Sequence, residues 1–151
     1  MIKSTPMSQI LDIAKVGMTA YGVGYIILGI TWIALPTQSR VSGIGWTGWL
    51  TPGIVGAAFV IAGTIGASVA ILPIRSPRAT QLAWLVLTAM PVVLSLYFLV
   101  AWIGYLIPTV ASGSERGVAS AVSYLIIACG AAGMSRVSQI AHRLQDKWEG
   151  V

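Results

Sequence analysis

The side chains able to do chemistry in this chain are few and stand far apart. The acids are Asp12, Glu115, Asp146 and Glu149, the one histidine is His142 and the one cysteine is Cys129. Hydrolysis needs a nucleophile with a base beside it, or two carboxyl groups at hydrogen-bond reach. Ser95, Ser120 and Ser123 lie in apolar stretches that hold no such partner, so they read as helix hydrogen-bonders. A buried haem would want a histidine or another strong axial ligand, and His142 sits instead in a polar tail. A single cysteine precludes an intrachain disulfide or a multi-cysteine metal site. No glycine-rich phosphate loop follows a strand, because no credible strand exists. The expectation is a chain that is not an enzyme, with no cofactor and no metal.

What the sequence supplies in place of chemistry is apolar length. Of 151 residues, 56% are hydrophobic and 9% charged, with a mean hydropathy of +0.85. Soluble domains carry about 25% charged residues, so the composition asks for lipid as solvent. The stretch Leu82–Pro108 runs without a formal charge, and as a helix it would reach about 40 Å, more than a hydrocarbon core of about 30 Å requires. Three shorter apolar stretches lie beside it. The fold expected is all-α: an integral membrane four-helix bundle in one domain, 1–151, with spans at about 16–35, 50–72, 82–108 and 118–134 and a tail helix at 136–149. The first apolar run opens near Val16 without a small-x-small cleavage site, so it reads as a retained span rather than a signal peptide.

Residues 1–15 read as a short interfacial helix with Ile10, Leu11 and Ala14 on its apolar side. Residues 37–49 read as a loop ending in Trp46 and Trp49, an interfacial aromatic pair. Within the spans small residues recur at helical spacing. Gly22 and Gly29 stand seven apart in the first span; in the second, Gly56, Gly63 and Ala70 repeat every seven residues, and Ala62, Gly66 and Ala70 every four. Such stripes let helix backbones approach closely in lipid, so the second helix is expected to be packed most tightly by its neighbours. In the third span Pro91 withholds a donor from the Leu87 carbonyl, which predicts a kink. Thr88 and Ser95 flank it at helical spacing and are the side chains expected to satisfy the freed backbone groups.

The tail segment places Val137, Ile140, Ala141, Leu144 and Trp148 on one helical face and Arg136, Arg143 and Lys147 beyond it. This pattern suits a helix lying on an anionic leaflet, or one docking on its own bundle. Lys3, Lys15, Arg75, Arg78, Arg136, Arg143 and Lys147 fall on the terminal side of the spans, against Arg40 and Arg116 on the other. The positive-inside rule then puts both termini in the cytoplasm of a multi-pass protein of the cytoplasmic (inner) membrane. The net charge of +5 is scattered at the ends of apolar runs, not clustered for nucleic acid. No Asp, Glu, Lys, Arg or His falls within a span, which argues against ion-coupled carriers, proton relays and voltage sensors.

Gly17, Gly22, Tyr25 and Gly29 resemble a G-x4-G-x2-Y-x3-G pattern in the first span of an uncharacterised family of bacterial multi-span proteins. The whole chain is similar in size, topology, alanine- and glycine-rich spans and basic tail, Arg136 to Lys147, to small four-span proteins of phages of high-GC Gram-positive bacteria, some of them holins. That resemblance implies a protein that accumulates in the membrane, self-associates through Gly56, Gly63, Gly66 and Ala70, and opens a lesion. Arg136, Arg143 and Lys147 would hold the tail at the inner leaflet. Its partners would be the lipid bilayer and further copies of itself. The same charge-free spans would equally serve an accessory subunit of a larger membrane complex. A carrier for an uncharged or lipid-like molecule, with a cavity beside Pro91, Thr88 and Ser95, stays open as a third reading.

Overall fold

The architecture comes from a computed structural model that describes residues 6–72, 76–107 and 116–149. Among them there are helices and turns and no strand: α1 (Pro6–Ala34), α2 (Gln38–Ile44), a 3-10 turn (Gly45–Thr47), α3 (Pro52–Ile71), α4 (Pro77–Leu106) and α5 (Gly117–Glu149). Segments of α1, α3, α4 and α5 are each long and apolar enough to cross a membrane. They run up and down as a four-helix bundle, the topology that short connections favour. α1 packs most closely on α3 and α4 on α5, and the two pairs meet through α3–α4 and α1–α5.

Local sequence explains the helix starts. Thr51 and Ser76 cap α3 and α4, accepting from Ile54 N at 3.3 Å and Ala79 N at 3.4 Å, and each is followed by a proline at the first helical position. Proline costs nothing there, because its missing N–H would be unpaired anyway. α4 therefore begins at Pro77, a turn before the apolar run at Leu82; the far limit expected for that span, Pro108, lies outside the described residues.

Two segments expected to be separate are continuous with their spans. From Pro6 onward the N-terminal segment belongs to α1, residues 1–5 lying outside the described ones, and the tail belongs to α5, with no break at residue 135. Neither helix contains a proline beyond its first residue, so nothing interrupts the backbone ladder. The tail is consequently not a separate helix laid on a leaflet; it prolongs α5, with Ser138 and Ala141 buried, as Ala14 is on α1. Residues 37–49, expected as a loop, carry α2 and the 3-10 turn, closed by Gly48 in the left-handed region at φ 75°.

The core is a narrow inner stripe. Met18, Tyr25 and Trp32 supply it from α1, Val55, Phe59 and Ala62 from α3, and Trp84, Leu87, Leu94 and Phe98 from α4, while Ala121 and Ala131 close it from α5. The opposite faces are just as apolar: Val16, Ile61, Ile71, Leu85, Val93 and Ile126 are each more than 60% exposed. A helix apolar all round belongs in lipid. The chain is thus a multi-pass, all-α membrane protein in its architecture.

Candidate functional site

The glycines singled out by their spacing sit where two backbones touch. A Cβ on Gly22 would lie 2.7 Å from Ala67 N and 2.8 Å from the Gly63 carbonyl, and one on Gly56 would lie 2.6 Å from the Gly29 carbonyl. Gly29 in turn meets Gly56 and Val60, and Gly63 meets Gly22 and Ile26. The four form a seam between α1 and α3, closed to any side chain larger than hydrogen. Gly66 turns the other way, with a Cβ position 2.8 Å from Leu87 Cδ1 of α4, and Ala70 is half-buried against the core. One apparent stripe on α3 therefore serves two neighbours within the same chain. Gly24 and Gly133 differ: nothing lies within 4 Å of their Cβ positions.

Pro91 is buried inside α4. The carbonyl it leaves without a helical donor, that of Leu87, accepts from the Tyr25 hydroxyl at 2.6 Å. Thr88 and Ser95, expected to fill that role, are engaged elsewhere. Thr88 Oγ1 donates to the Trp84 carbonyl of its own helix at 2.8 Å, and Ser95 Oγ donates across to the Ala121 carbonyl of α5 at 2.8 Å. The correction has a geometric reason: hydroxyls on α4 reach back one turn or outward to a neighbour, whereas Leu87 O points toward α1. Tyr25 was visible in sequence only as part of the short glycine pattern; a tyrosine deep in an apolar span is itself a signal, because its hydroxyl needs a partner there. Ser123 behaves as a helix hydrogen-bonder, donating to Ala119 O at 2.9 Å.

Around this bond the aromatic rings form a column through the bundle. Trp84 meets Tyr21 edge to face, Tyr25 meets Phe59 with centroids 5.2 Å apart, and Tyr124 stacks between Phe59 and Phe98. At the end away from the termini, the Tyr97 hydroxyl binds the Ile44 carbonyl and lies 3.0 Å from Thr47 Oγ1, which ties the α2 segment to α4. Arg40 folds back on α1. Its guanidinium donates to the Thr31 and Leu35 carbonyls at 2.9 and 3.3 Å and lies over the Trp32 ring, 5.1 Å from its centroid. These carbonyls lie in the last turn of α1 and just past its end, where a cation also complements the helix dipole.

An open groove of about 610 Å³ runs along α1, lined by Ala20, Tyr21, Gly24, Tyr25, Ile27, Leu28, Thr31 and Ile127. Its surface is nearly all hydrocarbon. Among the described residues no three His, Cys, Asp or Glu side chains gather to hold a metal. Cys129 is exposed on α5. Arg136, Arg143 and Lys147 are exposed along the α5 extension, and the side chain of Trp148 lies outside the described ones. The chain matches no known protein family, and no characterised protein or solved structure is detectably similar to it.

Proposed function

We propose that the protein is a non-catalytic membrane protein that acts through association of its helices, and most specifically as a holin-like assembly that permeabilises the cytoplasmic membrane, both termini facing the cytoplasm. The observation that carries association is the open groove beside α1, where Gly24 leaves a backbone within reach of another helix. Close backbone approach is what drives helix pairing in lipid, where no hydrophobic force separates helix from solvent. Gly22, Gly29, Gly56 and Gly63 are used inside one chain, so contact between copies falls to this outer face. The charge-free spans support a role without ion coupling.

The test is inducible expression in a bacterial host with membrane potential and growth followed together. Abrupt depolarisation after a reproducible delay, with release of a cytoplasmic endolysin supplied in trans, is the expected result. Steady growth at normal potential, with insertion verified, overturns it. A fixed heteromeric companion at constant stoichiometry would then favour an accessory subunit of a larger membrane complex.

A further inference from the structure

The cations at the end that carries both termini stand in register. Gly17 lies against the Met134 thioether and the Tyr21 hydroxyl against Gly130, so these positions of antiparallel α1 and α5 are level. Two residues beyond Gly17 and two beyond Met134 stand Lys15 and Arg136. Tyr21 also meets Trp84 on α4, which runs parallel to α1. Six residues back from each are Lys15 and Arg78. Three helices thus bring one cation each to a single level.

That level has a physical meaning. From Lys15 to Ile33 the helix rises about 27 Å, near the thickness of a hydrocarbon core of about 30 Å. α1, α3, α4 and α5 carry no charged residue between these levels, and only the Arg40 guanidinium of α2 reaches in as far as Thr31, at the far level. The plane of Lys15, Arg78 and Arg136 is therefore where phosphate groups of a leaflet would lie. All three side chains are exposed, and none forms a hydrogen bond or ion pair with another described residue. Arg40, at the opposite end, is occupied by two carbonyls and a ring. Asp12, also exposed, stands one turn outside Lys15; Asp146 and Glu149 stand about three turns outside Arg136.

We propose that Lys15, Arg78 and Arg136 form a headgroup-level belt that binds anionic phospholipids in preference to zwitterionic ones. A guanidinium pairs with a phosphodiester through two parallel hydrogen bonds, and an ammonium meets it as a point charge. The belt rests on the membrane-spanning reading and not on self-assembly or permeabilisation, so either can fail without the other.

The experiment uses the full chain purified in neutral detergent and mixed with equal amounts of phosphatidylglycerol and phosphatidylcholine of matched acyl chains. Native mass spectrometry counts the lipids retained. A cation near a membrane surface favours an anionic lipid by about fivefold, so preferential retention of phosphatidylglycerol by at least that factor is expected. K15Q/R78Q/R136Q should bring retention to parity, while the charge-conserving K15R/R78K/R136K and the opposite-end R40Q keep the preference. Equal retention by the wild-type chain overturns the proposal, as does an unchanged preference in the triple glutamine variant with its helix content intact. Extraction of the expressed chain from membranes by alkaline carbonate would instead overturn the membrane reading beneath it.

Discussion

Tyr25→Phe removes one oxygen and leaves the Leu87 carbonyl facing a buried ring edge. That carbonyl has no helical donor, because Pro91 stands four residues on, and the Tyr25 bond to it is 2.6 Å long and buried. Side-chain hydrogen bonds between membrane helices average about 0.6 kcal/mol and reach about 1.7, because their acceptors usually find another partner. Tyr25 is the side-chain donor that this carbonyl has, and an unsatisfied buried acceptor costs about 1–3 kcal/mol. The expected loss is therefore about 1.5–2 kcal/mol. Pro91→Ala supplies the missing N–H, so in that background the Leu87 carbonyl is already paired and Tyr25→Phe should cost only about 0.5 kcal/mol. The assay is a double-mutant cycle of unfolding in mixed micelles, with a coupling of about 1 kcal/mol as its readout. Equal costs of Tyr25→Phe in the two backgrounds would refute the claim that the tyrosine replaces the proline's missing donor.

Other consequences are read by the same unfolding assay unless stated. Gly63→Leu should destabilise by about 3 kcal/mol or more, since its Cβ meets the Gly22 backbone and two neighbours cannot move apart without opening the seam. Ser95→Ala severs the α4–α5 bond to Ala121 O and should cost about 0.6–1.7 kcal/mol. Tyr97→Phe frees α2 from α4, so amide exchange should quicken at 38–47 while α3 keeps its protection.

Apolarity told where the helices are, and it told less about where they end. The run at Leu82 marked α4, yet its true start lies at the Ser76–Pro77 cap, a signal of local hydrogen bonding rather than of hydropathy. The tail shows the same limit from the other side. A basic and apolar pattern along Arg136–Lys147 suits a leaflet as well as a coaxial extension, and periodicity cannot choose between them. The small residues Ser138 and Ala141, buried in the extension, carried the distinction. Spacing identified Gly22, Gly29, Gly56 and Gly63 as close-approach positions, but a glycine face does not say which helix fills it. That depends on the order of helices around the bundle, and here α3 stands beside α1. Tyr25 was hidden for a related reason: its acceptor lies 62 residues away on a helix it meets only in the folded bundle.

The internal seam changes which substitution can test association between copies. Gly63→Leu would abolish any activity simply by prying α1 from α3, so a silent variant there says nothing about assembly. Gly24→Leu is the informative change. Its Cβ position meets no atom within 4 Å, so the chain should fold with unchanged stability. The new side chain would nonetheless stand in the groove lined by Ala20, Tyr21 and Ile127, where an incoming helix must lie against the backbone. Cross-linked species in the membrane should then collapse to monomer and the timed depolarisation should vanish, while unfolding stays within about 0.5 kcal/mol of the wild type. Depolarisation that persists with the same delay in Gly24→Leu would remove this groove from the assembly and with it the structural support for the permeabilising reading.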